Sequence, residues 1–225
     1  MRDVQSVPET VPPSPETASV PFPKILILCI VTVLGNAIVS YFVSDVAKLP
    51  LYLDTMFVIA LCFYSGPLPS LLTTVLLYPV FSLLSGMYLL DIPLPIALTR
   101  IAFTPCIIVE IFAVNFIRGR IKNSQAVFIE KPSLQSFMGI APLLLTLVVI
   151  DCIAISITGG IIDFALFQYN APRIHFPEDS FKLGLLRNNV PVLTTAILSR
   201  IPINMVDRLI VVFGGFGISL LYRKF

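Results

Sequence analysis

Apolar residues run along this chain in long blocks, interrupted by short polar or proline-bearing breaks. About 20 apolar residues in a helix cross the roughly 30 Å hydrocarbon layer of a bilayer, so each block predicts one span. The blocks fall at 25–43, 51–66, 68–87, 94–117, 137–158 and 199–221. Gly66, Pro67 and Pro69 divide the second from the third, because a glycine followed by two prolines makes a turn rather than a helix interior. Apolar sequence resumes at residue 190, earlier than the last span requires, and its first turns are expected at the membrane interface. The pattern predicts an all-α integral membrane protein, a six-transmembrane-helix bundle over 24–225, with residues 1–23 as a disordered Pro-rich tail. No internal repeat of the kind common in secondary transporters is visible.

Composition agrees with this reading: 56% of the 225 residues are hydrophobic and 12% charged, with a mean hydropathy of +0.93, beyond what soluble domains show. The net charge of +2 is too small and scattered for a nucleic-acid surface, but it orients the chain. Lysine and arginine collect in cytoplasmic loops. Arg118, Arg120, Lys122 and Lys131 follow the fourth block, and Arg223 and Lys224 follow the sixth. Six spans put both groups on the side of the N-terminal tail, giving a multi-pass protein of the inner or plasma membrane with both termini cytoplasmic. The tail has repeated prolines and acids rather than the basic start of a cleavable signal peptide, so the first span is expected to be retained. Cys29, Cys62, Cys106 and Cys152 lie in apolar blocks without the close Cys or His neighbours of a zinc or redox motif, and read as small hydrophobes.

Charge inside the blocks is the feature that composition does not explain. Asp54, Arg100, Glu110, Asp151, Arg200, Asp207 and Arg208 all fall in or near spans. At about 3 kcal/mol each, unpaired, they would cost on the order of 20 kcal/mol, comparable with a whole domain's stability. They are therefore expected to pair, to face the bundle interior or to sit near an interface. With the N-terminus inside, Asp54, Arg100, Asp151 and Arg200 converge from four helices on the outer side, a candidate substrate pocket. Arg200, Asn204 and Asp207 stand at i, i+4 and i+7, one helical stripe, which brings Asn204 into the pocket. Glu110, Asp207 and Arg208 lie deeper and suit an internal ion pair or a coupling face. Thr74, Tyr78, Ser82 and Ser85 form a polar stripe read as interhelical hydrogen bonding.

No catalytic, cofactor or metal motif is present, so neither an enzyme nor a bound cofactor is expected. The single histidine, His175, falls in the external connection. "GGFG" at 214–217 reads as close helix packing.

The segment "LPLYLDTMFVIALCFYSGPLPSLLTTVLL", with Leu-Asp-Thr opening the second span and a Gly-Pro turn before the third, resembles the S components of energy-coupling factor (ECF) vitamin transporters. The C-terminal "RIPINMVDRLIVV" agrees with it. The resemblance implies an S-component-like bundle that captures a vitamin or similar small molecule in its outer half. Its implied partners are a transmembrane coupling subunit and two cytoplasmic ATPase subunits, with membrane lipid around it. The family's first helix presents Ala-x-x-x-Ala to the coupling subunit. Here Ala37 is followed by Tyr41, and Asn36, Ser40 and Ser44 form a polar-small face in its place. Two other functions fit the residues less closely. A membrane sensor or interaction module would be expected to continue past "YRKF" into an output domain, and a stand-alone permease would need a continuous polar path.

Overall fold

The computed structural model describes residues 21–77, 79, 101–131, 133–169 and 178–224. Among these residues every regular element is helical. Helix α1 spans Phe22–Tyr41 and ends in a π-helical turn over Phe42–Val46; α2 spans Met56–Ser65; α3 spans Pro67–Leu72 and continues as a π-helical turn over Thr73–Leu77. Helix α4 spans Thr104–Glu130, α5 Leu134–Gln168, α6 Asp179–Arg187, α7 Val192–Leu198 and α8 Ile201–Tyr222.

Among the described residues three segments are long and apolar enough to cross a membrane: Phe22–Tyr41, Leu134–Gln168 and the α7–α8 stretch Val192–Tyr222. Their outer faces carry large exposed hydrophobics, among them Ile27, Leu34 and Ile38 on α1, Leu145, Ile153 and Ile161 on α5, and Val206 and Leu209 on α8. Apolar side chains turned outward from several long helices are what lipid, rather than water, accommodates. The buried face of α1 is Leu28, Cys29, Thr32, Val33 and Asn36, a stripe at three- and four-residue spacing turned toward α2.

The core joins α2, α4, α5 and α8 through Val58, Ile59, Ile111, Val114, Leu144, Leu147, Val211 and Phe216. Helix α4 packs along α5, and α8 packs on α2 and α5. The "GGFG" reading holds at Gly215, where a Cβ would stand 2.9 Å from the Met56 carbonyl oxygen, so α2 lies directly against the α8 backbone.

Several boundaries differ from the hydropathy blocks. The second block is not helical from residue 51: Leu53 has φ 44°, and α2 starts only at Met56. Its 10 residues reach about 15 Å, half a hydrocarbon layer. Gly66, at φ 101°, ends α2 in a conformation other residues resist, and Pro67 then opens α3. Helix α4 runs on through the basic segment expected as a loop, because that segment, Arg118 to Glu130, lacks proline and intersperses the good helix formers Arg118, Arg120, Lys122, Gln125, Ala126 and Glu130. Helix α5 likewise continues a full 10 residues past the block, to Gln168. The last block is interrupted at Ser199–Arg200, ahead of Pro202, whose missing N–H and bulky ring prevent a continuous helix. Most of the tail 1–23, the end of the third block and the start of the fourth lie outside the described residues.

Candidate functional site

Three carboxylates and one guanidinium meet where α4, α5 and α8 pack around the start of α2. Arg208 on α8 donates through Nη1 to Glu110 Oε1 on α4 and, at 2.9 Å, to Thr55 Oγ1, and through Nη2 to Asp207 Oδ2. The other Asp207 oxygen accepts the backbone N–H groups of Tyr52 and Leu53 at 3.0 and 2.9 Å. A side chain of α8 thus satisfies the non-helical backbone ahead of α2, which otherwise would leave donors unpaired inside the bundle.

Asp151, from α5, is 0% exposed, and neither of its oxygens has a hydrogen-bond partner among the described residues. It lies within electrostatic reach of Glu110 and Arg208, and Glu110 leaves Oε2 without a partner as well. Asp151 is the midpoint of α5, and Asp207 the midpoint of Val192–Tyr222, so this deep tier lies midway along two of the membrane-long segments.

A second tier lies toward the C-terminal end of α5 and the N-terminal end of α8. Arg200 Nη2 meets Glu178 Oε1 at 2.5 Å, and its guanidinium lies 5.1 Å from the Phe103 ring centroid. The Tyr52 hydroxyl donates to Glu178 Oε2. Lys182 on α6 meets Asp163 of α5 at 2.5 Å and Asp179 at 3.2 Å. Between the tiers, Asn204 Nδ2 donates to Ser156 Oγ at 2.9 Å, tying α8 to α5.

The residues singled out in the sequence divide accordingly. Asp151 belongs to the deep tier and Arg200 to the second, and the two tiers stand about two helical turns apart along α8, from Arg200 to Asp207, rather than in one ring. Asp54 is partly buried and within electrostatic reach of Tyr52, Glu110 and Arg208, which sets it between the tiers. Asn204 is buried where the α8 stripe predicts. Glu110, Asp207 and Arg208 form the deep ion-paired group. Arg100 lies outside the described residues, as do Tyr78, Ser82, Ser85 and His175.

On α1, Asn36 is buried and its Oδ1 accepts the Phe57 N–H at 2.9 Å, so it is engaged with α2 inside the chain. Ser40 is half-buried, and Ser44 lies in the π-helical turn after α1.

Sequence reasoning missed Tyr52, Glu178, Lys182 and Asp163 as site residues. The available signal was "PEDS", a proline and acids ahead of an amphipathic stretch, which marks a helix start able to fold back onto the bundle.

Chemically, the track offers buried carboxylates, one ion-paired guanidinium per tier and, among the described residues, unpartnered acceptors at mid-depth. Among the described residues no group of three or more His, Cys, Asp or Glu side chains is placed to hold a metal ion. Comparison with known protein families, curated proteins and solved structures returns no match for this chain.

Proposed function

We propose that this chain is a non-enzymatic solute-capture subunit of the S-component type, resident in the inner or plasma membrane with both termini cytoplasmic. In this reading it binds a vitamin or similar small molecule in the polar track. ATP-driven uptake is left to a transmembrane coupling subunit and two cytoplasmic ATPases, as the resemblance of the second span implies. The six-span count belongs to the same proposal.

The observation that carries the reading is Asp151. A carboxylate with no hydrogen-bond partner, 0% exposed and midway along a helix of membrane length, is costly unless something occupies it part of the time. Structural glue would pair it, as Arg208, Glu110 and Asp207 are paired. A bound solute supplying several N–H or O–H donors would satisfy both Asp151 oxygens and the free Oε2 of Glu110.

Native mass spectrometry of the protein gently extracted from its own membrane tests this. A co-purifying small molecule together with coupling and ATPase subunits is the expected result. A different cytoplasmic partner and no small molecule would replace it with a sensor or interaction module, and a retained solute without motor subunits with a stand-alone permease.

A further inference from the structure

At the end of the bundle away from Arg200, three cations gather without a carboxylate between them. Lys24, in the first turn of α1, stands 5.3 Å from the centroid of the Tyr64 ring at the end of α2. Tyr64 makes an edge contact with Tyr222 at the end of α8, their centroids 6.0 Å apart, and Arg223 follows directly. Arg223 donates to Gln125 Oε1 of α4 at 3.0 Å, and Gln125 in turn donates to Ser219 Oγ at 3.4 Å. Arg118, seven residues before Gln125 and so on the same α4 face, rests on the α2–α3 turn: a Cβ on Gly66 would lie 2.7 Å from its Nη1.

Neither Lys24, Arg118 nor Arg223 has an acidic partner among the described residues, and Arg118 and Arg223 act on each other as like charges. The carbonyl ends of α2 and α8 each supply about half a negative charge, while the N-terminal end of α1 adds about half a positive one. A clear positive surplus remains. It stands at the rim of the bundle, where α1 begins and α8 ends, the depth at which headgroups meet a membrane protein.

We propose that Lys24, Arg118 and Arg223 form a binding site for the phosphate of an anionic phospholipid headgroup. Tyr64 and Tyr222 form its floor, amphipathic rings suited to the interface. The three cations come from α1, α4 and the end of α8, so an occupant would tie together helices that are far apart in the chain. The site lies apart from the polar track and does not depend on the function proposed for it.

The test is native mass spectrometry of the full chain in mixed micelles, titrated with phosphatidylglycerol or with phosphatidylcholine of the same acyl chains. Phosphatidylglycerol is expected to be retained preferentially. Occupancy should fall about fivefold for each charge removed in Arg118→Gln, Arg223→Gln and Lys24→Gln. Arg223→Lys should retain it, and Arg187→Gln, an exposed base on α6, should leave it unchanged. If a glutamine variant does not fold, the wild-type preference should still weaken as sodium chloride is raised. Equal retention of both lipids, or a preference indifferent to salt and to all three substitutions, would overturn the proposal. Displacement of phosphatidylglycerol by low-millimolar inorganic phosphate would overturn the lipid assignment in favour of a free anion.

Discussion

The middle of the bundle and its basic rim both carry charge, but they handle it in opposite ways. At mid-depth Arg208 has Glu110, Asp207 and Thr55 within hydrogen-bond reach, and Asp207 also holds two backbone N–H groups. At the rim Lys24, Arg118 and Arg223 have aromatic rings, a glutamine and a glycine turn as neighbours, with no acid among the described residues. The difference follows from dielectric. An unpaired ion in the low-dielectric interior is expensive, so the fold surrounds it; at a hydrated rim the same charge costs little and stays available to an outside anion. Asp151 is the exception, an unpartnered group in the region where every other charge is engaged, and that is why it carries the functional reading.

The comparison breaks most visibly at Arg208. Arg208→Met should destabilise the protein by about 3–5 kcal/mol, because Glu110 and Asp207 are left as buried, uncompensated acids. Thermal unfolding in detergent measures this. Adding Glu110→Gln to that variant should recover part of the loss, the sign of coupling between two groups in one network.

The packing that seals the polar track gives a smaller effect. A Cβ on Gly160 would come within 2.6 Å of Ile197 Cγ1 and 2.9 Å of its Cα, so Gly160→Ala must push α7 away from α5. The expected cost is about 1–3 kcal/mol, read in the same unfolding experiment. Tyr52→Phe removes the bond to Glu178 and should cost about 1–2 kcal/mol near neutral pH.

The smallest effect is expected at the rim, where Arg223→Gln should change stability by no more than a few tenths of a kcal/mol, since a like-charge contact is removed along with one hydrogen bond.

Hydropathy made the membrane character legible because lipid-facing composition is a bulk property. The cost of isolated charge likewise made the deep ion-paired group legible, since Glu110, Asp207 and Arg208 had to find partners. Less visible was how the chain before α2 is held. Leucines, a proline and a tyrosine at 49–53 are apolar enough to extend a span, and only the distant Asp207, which takes the N–H groups of Tyr52 and Leu53, shows why they do not become helical. Glu178 was hidden for a similar reason: its partners, Tyr52 and Arg200, are separated from it in sequence and joined to it only by the folding back of α6. Long-range pairing of this kind leaves no local periodicity to read.

The most direct measurement compares wild-type protein with Asp151→Asn, following both the small molecule retained after extraction and the unfolding temperature. Retention by the wild type, loss from the variant and an unfolding temperature that does not fall together are the expected result, because the substitution removes a charge that has no partner in the fold. A variant that keeps the same occupant, or one that unfolds several degrees lower while neither protein carries a small molecule, would contradict a ligand-binding role and make Asp151 a structural residue.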